Sequence, residues 1–285
     1  MLVDYIQYLL VRGAEKVKKV KFPVLLTVFF LLLSVYSNAL AFRSSNFDNS
    51  KIELGTVGAR YIPSAPKRVK TRVQNSVDKY DYDLFGRENF EYFPLQLGDG
   101  EYKVSIFENV TGNRYRQVKV QSIDAKINNP FDVFRASVQT VNWNSDMDVI
   151  IKAQELTRDL KTDKEKVTAI YSFVIDAFGY DYDKIKSVDS TYVPDIEKIY
   201  NDKKGICYDY SAVFAAMLRS QNIPAKLVKG YSDLVNGYHA WNEVYLSDEN
   251  RWMVIDTTYD SVMKKNNMKF TMEKNKKNYK TAREY

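Results

Sequence analysis

One cysteine and one histidine are all that 285 residues contain of either. A lone cysteine excludes an internal disulfide framework and any zinc site built on paired CxxC motifs. A lone histidine excludes a histidine-rich metal centre. A catalytic zinc wants three protein ligands, so it would need Asp256 or Glu243 to complete an unusual Cys–His–carboxylate set. No resident metal or cofactor is expected. Chemistry that needs both thiol and imidazole must use Cys207 and His239. Internal repeats and long low-complexity tracts are also lacking.

The net charge of +6 does not lie on the body of the chain. Residues 1–23 carry +3 and residues 263–285 carry +6, which leaves −3 for residues 24–262. A nucleic-acid module puts its basic surface on the folded domain, so nucleic acid is not expected as a partner. The tail, with seven lysines and Arg283, reads as a solvated, flexible end that could make weak contact with an anionic surface.

The basic stretch Lys16–Lys21 precedes the apolar run Val24–Leu33, and Ala39-Leu40-Ala41 follows. A basic region, a short apolar core and an A-x-A exit are the parts of a secretory signal peptide. Cleavage after Ala41 is favoured over retention as a membrane anchor, because the uninterrupted core is shorter than the ~18–20 residues a spanning helix needs. Either way the body lies outside the cytoplasm, secreted or at the cell surface. An unpaired thiol in an exported chain is then a crosslinking or reactive group.

Residues 42–89 are polar and broken, with Pro63 and Pro66, and read as an irregular lead-in. Residues 90–128 read as a small β module. Tyr102, Val104 and Ile106 alternate with polar residues, Gly98–Gly100 and Asn109–Asn113 mark turns, and Val118-Lys119-Val120 resumes the alternation. Residues 129–148 form a linker. A core follows over 149–262. Val149, Ile150, Ala153, Leu156 and Leu160 fall at helical spacing, and Thr162-Asp-Lys-Glu165 is a capping box that opens an amphipathic helix ending near Gly179. Residues 180–204 are irregular. Cys207–Ser220 is a helix stopped at Pro224, and strands are expected over 225–228, 240–246 and 252–255.

Cys207 falls at the start of its helix, where unpaired amides and about half a positive charge favour a thiolate. Gly205 permits a sharp turn beside it, and the Cys207 amide could help hold an oxyanion. His239 opens one strand and Asp256 ends the next, so neighbouring strands could set them side by side. Asp256 would then fix the imidazole tautomer while the other ring nitrogen faces the sulfur. Taken singly, each residue has a plain reading: a buried small side chain, a structural histidine, a turn former. Their order in one segment is what suggests a triad.

The strings Lys204-Gly-Ile-Cys207-Tyr-Asp-Tyr-Ser211, Arg219–Pro224, Gly230-Tyr231, Tyr238-His-Ala-Trp-Asn-Glu-Val-Tyr245 and Ile255-Asp-Thr-Thr-Tyr259 together resemble the transglutaminase-like superfamily core. The resemblance covers residues 150–260 and places the sole Cys and sole His on the family's nucleophile and base. It implies an α+β, papain-like core, a Cys-bearing helix packed on an antiparallel sheet, here preceded by the β module. It assigns Cys207 as nucleophile, His239 as base and acid, and Asp256 as orienter. Tyr180 or Tyr182 stands near where an aromatic precedes the Cys, and Tyr180 is the candidate to assist the oxyanion, beside its plain reading as a core aromatic. Trp241 and Asn242 are taken as packing or loop-ordering residues, and Asp209 as a complement to the helix dipole.

The resemblance implies a cysteine enzyme that acts on amide bonds of proteins or peptides, including wall-associated ones, through a thioester. Water as acceptor makes it a peptidase or amidase; an amine makes it an acyltransferase. The alternative is a cell-surface module that binds or scaffolds without catalysis. Oligomeric state is left open by the sequence.

Overall fold

The computed structural model describes residues 45–285. The signal segment expected over 1–41 lies outside the described residues. The chain divides into Met1–Ser45 and Asn46–Tyr285, and every described element lies in the second unit. Among the described residues no helix is long and apolar enough to cross a membrane.

The β module is larger than its sequence suggests. One sheet joins β1 (Phe47–Asp48), β2 (Thr56–Ala59) and β5 (Glu91–Pro94). A second has the order β4–β3–β6–β7, with β3 Val69–Gln74, β4 Lys79–Asp83, β6 Gly100–Thr111 and β7 Arg114–Ala125. The expected hairpin is β6–β7, closed by Gly112-Asn113 with Gly112 at φ +50, the backbone region two-residue hairpin turns favour. The lead-in over 42–89 is corrected: it contains β1–β4. In β3, Val69, Thr71 and Val73 are buried while Lys70 and Arg72 face out. The alternation is there, masked by charges that pair across the strands as Arg68–Asp83 and Arg72–Asp81.

The linker reading of 129–148 is corrected too. Val133, Phe134, Val138 and Val141 are buried, Gln139 donates its backbone N–H to Tyr92, and Arg135 reaches the carbonyl of Asn222. The segment is a packed bridge between module and core.

The core begins with α1 (Asp148–Thr157) and α2 (Asp163–Ala177). At the start of α2 the capping box forms as expected: Thr162 Oγ accepts from the Glu165 amide and Glu165 accepts from the Thr162 amide. Gly179–Tyr180 (β8) pairs in parallel with Lys204–Gly205 (β9). The stretch between them holds α3 (Lys184–Ser187) and α4 (Ile196–Asp202), the second capped by Asp195 and buried through Ile196 and Ile199. Next comes α5 (Cys207–Ser220), in which every residue from Tyr208 to Arg219 is buried. A helix apolar on all sides belongs at the centre of a core.

This helix packs on a sheet of order β13–β12–β11–β10–β14, antiparallel throughout. Its strands are β10 (Ala225–Ser232), β11 (Val235–Leu246), β12 (Arg251–Ile255), β13 (Glu273–Lys274) and β14 (Tyr279–Glu284), and α6 (Thr257–Lys265) follows β12. The Asn242 amide fastens β11 to the helix by donating to the carbonyls of Ser211 and Lys226, both at 3.0 Å. The tail is therefore not a loose end. β13 closes one edge of the sheet and β14 the other. Gly230 admits β14, since a Cβ there would meet the Lys280 carbonyl at 2.1 Å.

Arg219 locks bridge, helix and last strand together. Its buried guanidinium donates to the carbonyls of Ala225 (3.0 Å), Ala136 (2.8 Å) and Tyr285 (2.9 Å). Arg219→Met keeps an aliphatic stem but leaves three carbonyls without this donor. It should cost roughly 3 kcal/mol or more, read as a lowered denaturant midpoint with an unchanged slope.

Candidate active site

Cys207 is the first residue of α5 and is partly exposed, so its sulfur stands at the positive end of a buried helix. The turn into that helix is tight. A Cβ on Gly205 would meet the Asp209 Cβ at 2.5 Å. Asp209 is fully buried and does more than complement the dipole. It accepts from the Ile206 amide at 2.8 Å and from the Tyr192 hydroxyl, and pairs with Lys184 at 2.6 Å. The neighbouring carboxylate is thus neutralised by its own cation rather than left to oppose a thiolate.

His239 is 4% exposed and sits inside β11, opposite Gly230, not at the strand's start as the sequence suggested. β11 begins at Val235 because it forms a long hairpin with β10, whose bulge between Gly230 and Ser232 re-aims the strand at this point. The His239 Nε2 lies 2.8 Å from Asp256 Oδ2, which leaves Nδ1 for a second partner. Cys207 lies close enough to the ring to favour its protonated form. Burial works against an imidazolium here, but the hydrogen bonds to Asp256 and Cys207, with their charges, outweigh it and raise His239 to about 10.

Asp256 has no exposed surface. Sequence spacing put it at the end of a strand; it is instead the N-cap of α6, with Oδ1 accepting the Tyr259 amide at 3.0 Å. One carboxylate oxygen caps the helix while the other faces the imidazole. A further hydroxyl, that of Tyr279 on β14, lies 3.0 Å from the same Oδ2. Tyr279 was hidden because it falls in the Lys- and Asn-rich tail. Its single apolar ring among polar neighbours gives no periodic signal.

Trp241 is fully buried and lies nearly parallel to the His239 ring, with centroids 6.4 Å apart. Tyr180 stands on β8, half-buried. Burial and the nearby Cys207 charge push its hydroxyl up to about 12, which keeps it protonated and able to donate. Tyr182 stacks edge-on against Tyr180, with centroids 4.9 Å apart, and is largely exposed. Beside His239 opens a recess of about 330 Å³ walled by Tyr180, Leu234, Tyr259, Val262 and Met263. Glu243, weighed for a metal set, pairs with Lys276 at 3.4 Å. Among the described residues no group of three or more potential ligands could hold a metal ion.

Comparison with known proteins bears on the same segment. Residues 152–257 match the family model of the transglutaminase-like superfamily. The uncharacterized protein YebA of Bacillus subtilis (strain 168) is 29% identical over 125 residues, which are 37% of this chain and 17% of that protein. The chain thus spans a small part of that relative's length. Solved structures that resemble the chain include a candidate cysteine protease from Cytophaga hutchinsonii, at 16% identity over 72% of this chain and 74% of that one, with a TM-score of 0.41. They also include red sea bream transglutaminase, at 10% identity over 71% and 48%, TM-score 0.33. LapG of Legionella pneumophila is a third, at 18% identity over 39% and 74%, TM-score 0.26. Residues 152–257, which carry the Cys-bearing helix and the central strands of the antiparallel sheet, are where the chain is similar to the transglutaminase-like superfamily.

Proposed function

We propose that the protein is an exported cysteine enzyme that acts on amide bonds of proteins or peptides through a thioester at Cys207. The reading is carried by one observation: the only imidazole in the chain hydrogen-bonds a fully buried carboxylate and has its protonated form favoured by the only thiol, which stands at a helix N-terminus. The thiolate attacks the substrate carbonyl. His239 gives its proton to the leaving amine, and the C–N bond breaks to leave the acyl group on sulfur. Water or a second amine then attacks the thioester, His239 takes the proton, and the thiolate departs. In this scheme the Cys207 amide and the Tyr180 hydroxyl hold the oxyanion. The largely apolar recess beside His239 seats an apolar substrate side chain, and no cofactor enters the scheme. Export rests on the basic and apolar N-terminus with its Ala39-Leu-Ala41 exit.

Three outcomes are expected. Iodoacetamide should modify Cys207 rapidly at mildly acidic pH, and His239→Ala should slow this at least tenfold. A rate that rises only as an ordinary thiol ionises, near pH ~8.5, would remove the triad.

The second concerns pH and stability. His239 is raised above its ordinary value of about 6.5, so folding favours its protonated form. That contribution is complete below about pH 6.5 and is lost as pH rises through about 10. The gap in thermal midpoint between wild type and His239→Gln should therefore narrow from pH 6 to pH 10.5. A gap that stays constant or widens contradicts the pairing.

The third separates the acceptors. Incubation with a glutamine-containing protein and a labelled primary amine should yield cleavage products by mass spectrometry rather than labelled protein. The reverse result assigns acyl transfer.

A further inference from the structure

We propose that Tyr279 is a positioning residue of the triad: its hydroxyl shares Asp256 Oδ2 with the imidazole, fixing the carboxylate and limiting how tightly it holds the proton on His239. The proposal rests on Asp256 acting through His239, as above. Tyr279 lies beyond the segment the family model matches and is carried in by the last strand.

The geometry is direct. The Tyr279 hydroxyl is 3.0 Å and His239 Nε2 is 2.8 Å from the same oxygen, while Oδ1 takes the Tyr259 amide. The ring is 8% exposed and packs on Trp241 with centroids 5.0 Å apart, so the hydroxyl has little freedom to leave. Ser232 stands opposite Tyr279 across β10 and β14, and its side chain loosens the phenol's hold on its proton, which strengthens it as a donor. A phenol hydrogen-bonded to a buried carboxylate spreads the charge of that carboxylate over one more donor. With fewer donors, Asp256 becomes a stronger acceptor toward the imidazole, and His239 surrenders its proton less readily to a leaving amine.

Other charged and titratable groups around this cluster come from every packed element. Cys207 on α5 favours the charged ring of His239, Lys229 on β10 acts on the Cys207 charge, and Tyr180 on β8 lines the recess beside His239. Asp260 on α6 lies one helical turn beyond Asp256, contacting Lys274 of β13 and the Tyr171 hydroxyl from α2. None of these donates to Asp256 Oδ2 in place of Tyr279.

The test uses the chain's single histidine as a selective probe. In protein labelled with ¹⁵N-histidine, NMR follows the proton between Nε2 and Oδ2 and the titration midpoint of His239. Tyr279→Phe keeps the ring against Trp241 and removes only the hydroxyl. It should move the bridging proton downfield and raise the midpoint by about half a unit or more, the scale of one hydrogen bond to a charged group. Ser232→Ala should move both in the same sense by less, and it stays informative if Tyr279→Phe folds poorly. The same pair of measurements in a Cys207→Ala background separates the two claims. A midpoint that Cys207→Ala fails to lower counts against the thiolate pairing, while the Tyr279 effect on Oδ2 is still read there. A bridging proton that stays put or moves upfield in Tyr279→Phe, even with a lowered thermal midpoint, overturns the proposal.

Discussion

A carboxylate with no access to water is the constraint around which the site is organised. Stripping an ion of its hydration costs several kcal/mol even after relaxation, so the fold must deliver donors to Asp256 from whatever elements can reach it. It delivers three. The amide at the start of α6 reaches Oδ1, and the His239 ring of β11 and the Tyr279 hydroxyl of β14 share Oδ2. Only one of the three can carry a positive charge, and that is the imidazole. Satisfying the buried anion and holding a protonated histidine are thus one arrangement, which is why His239 is raised despite its own burial.

The sulfur is positioned by a separate set of ties. Asn242 is next but two to His239 on β11, and its amide donates to the carbonyl of Ser211 in the helix that Cys207 begins. Strand and helix therefore cannot slide without breaking a buried hydrogen bond. At the helix start, Asp209 binds the Ile206 amide, and Lys184 and Tyr192 tie it to the segment between β8 and β9. The same aspartate fixes the turn before Cys207 and has its charge cancelled locally, which leaves the helix terminus electropositive.

Much of this was legible from the chain. Cys207 to Ser220 read as a helix stopped at Pro224, and the Thr162–Glu165 box marked its helix because two side chains satisfy two amides reciprocally. The proximity of Asp256 and His239 followed from two adjacent strands joined by a short loop. What failed has physical causes. β3 and β4 expose charge on one face at nearly every second residue, so composition hid their period. β14 buries its first residue, and its last two only in part, and is held mainly by backbone pairing to β10, which side-chain patterning does not report. His239 and Asp256 each lay one structural step from where they were expected, because hairpin extension and helix capping are decided by partners distant in sequence.

The last fifteen residues then show why the tail's polarity is not that of a solvated end. Two of its polar side chains are aimed at two buried acids one helical turn apart on α6. Lys274 brings a cation to Asp260, which burial nonetheless leaves raised to about 6, and Tyr279 brings a neutral donor to Asp256. The assignment is not interchangeable. A lysine on Asp256 would supply the counter-charge that His239 now supplies, and the imidazole would lose its reason to stay protonated. A tyrosine alone on Asp260 would leave a buried acid with no cation, since Tyr171 already offers only a hydroxyl. By giving charge to one aspartate and withholding it from the other, the segment reserves the negative charge of Asp256 for the imidazole of His239.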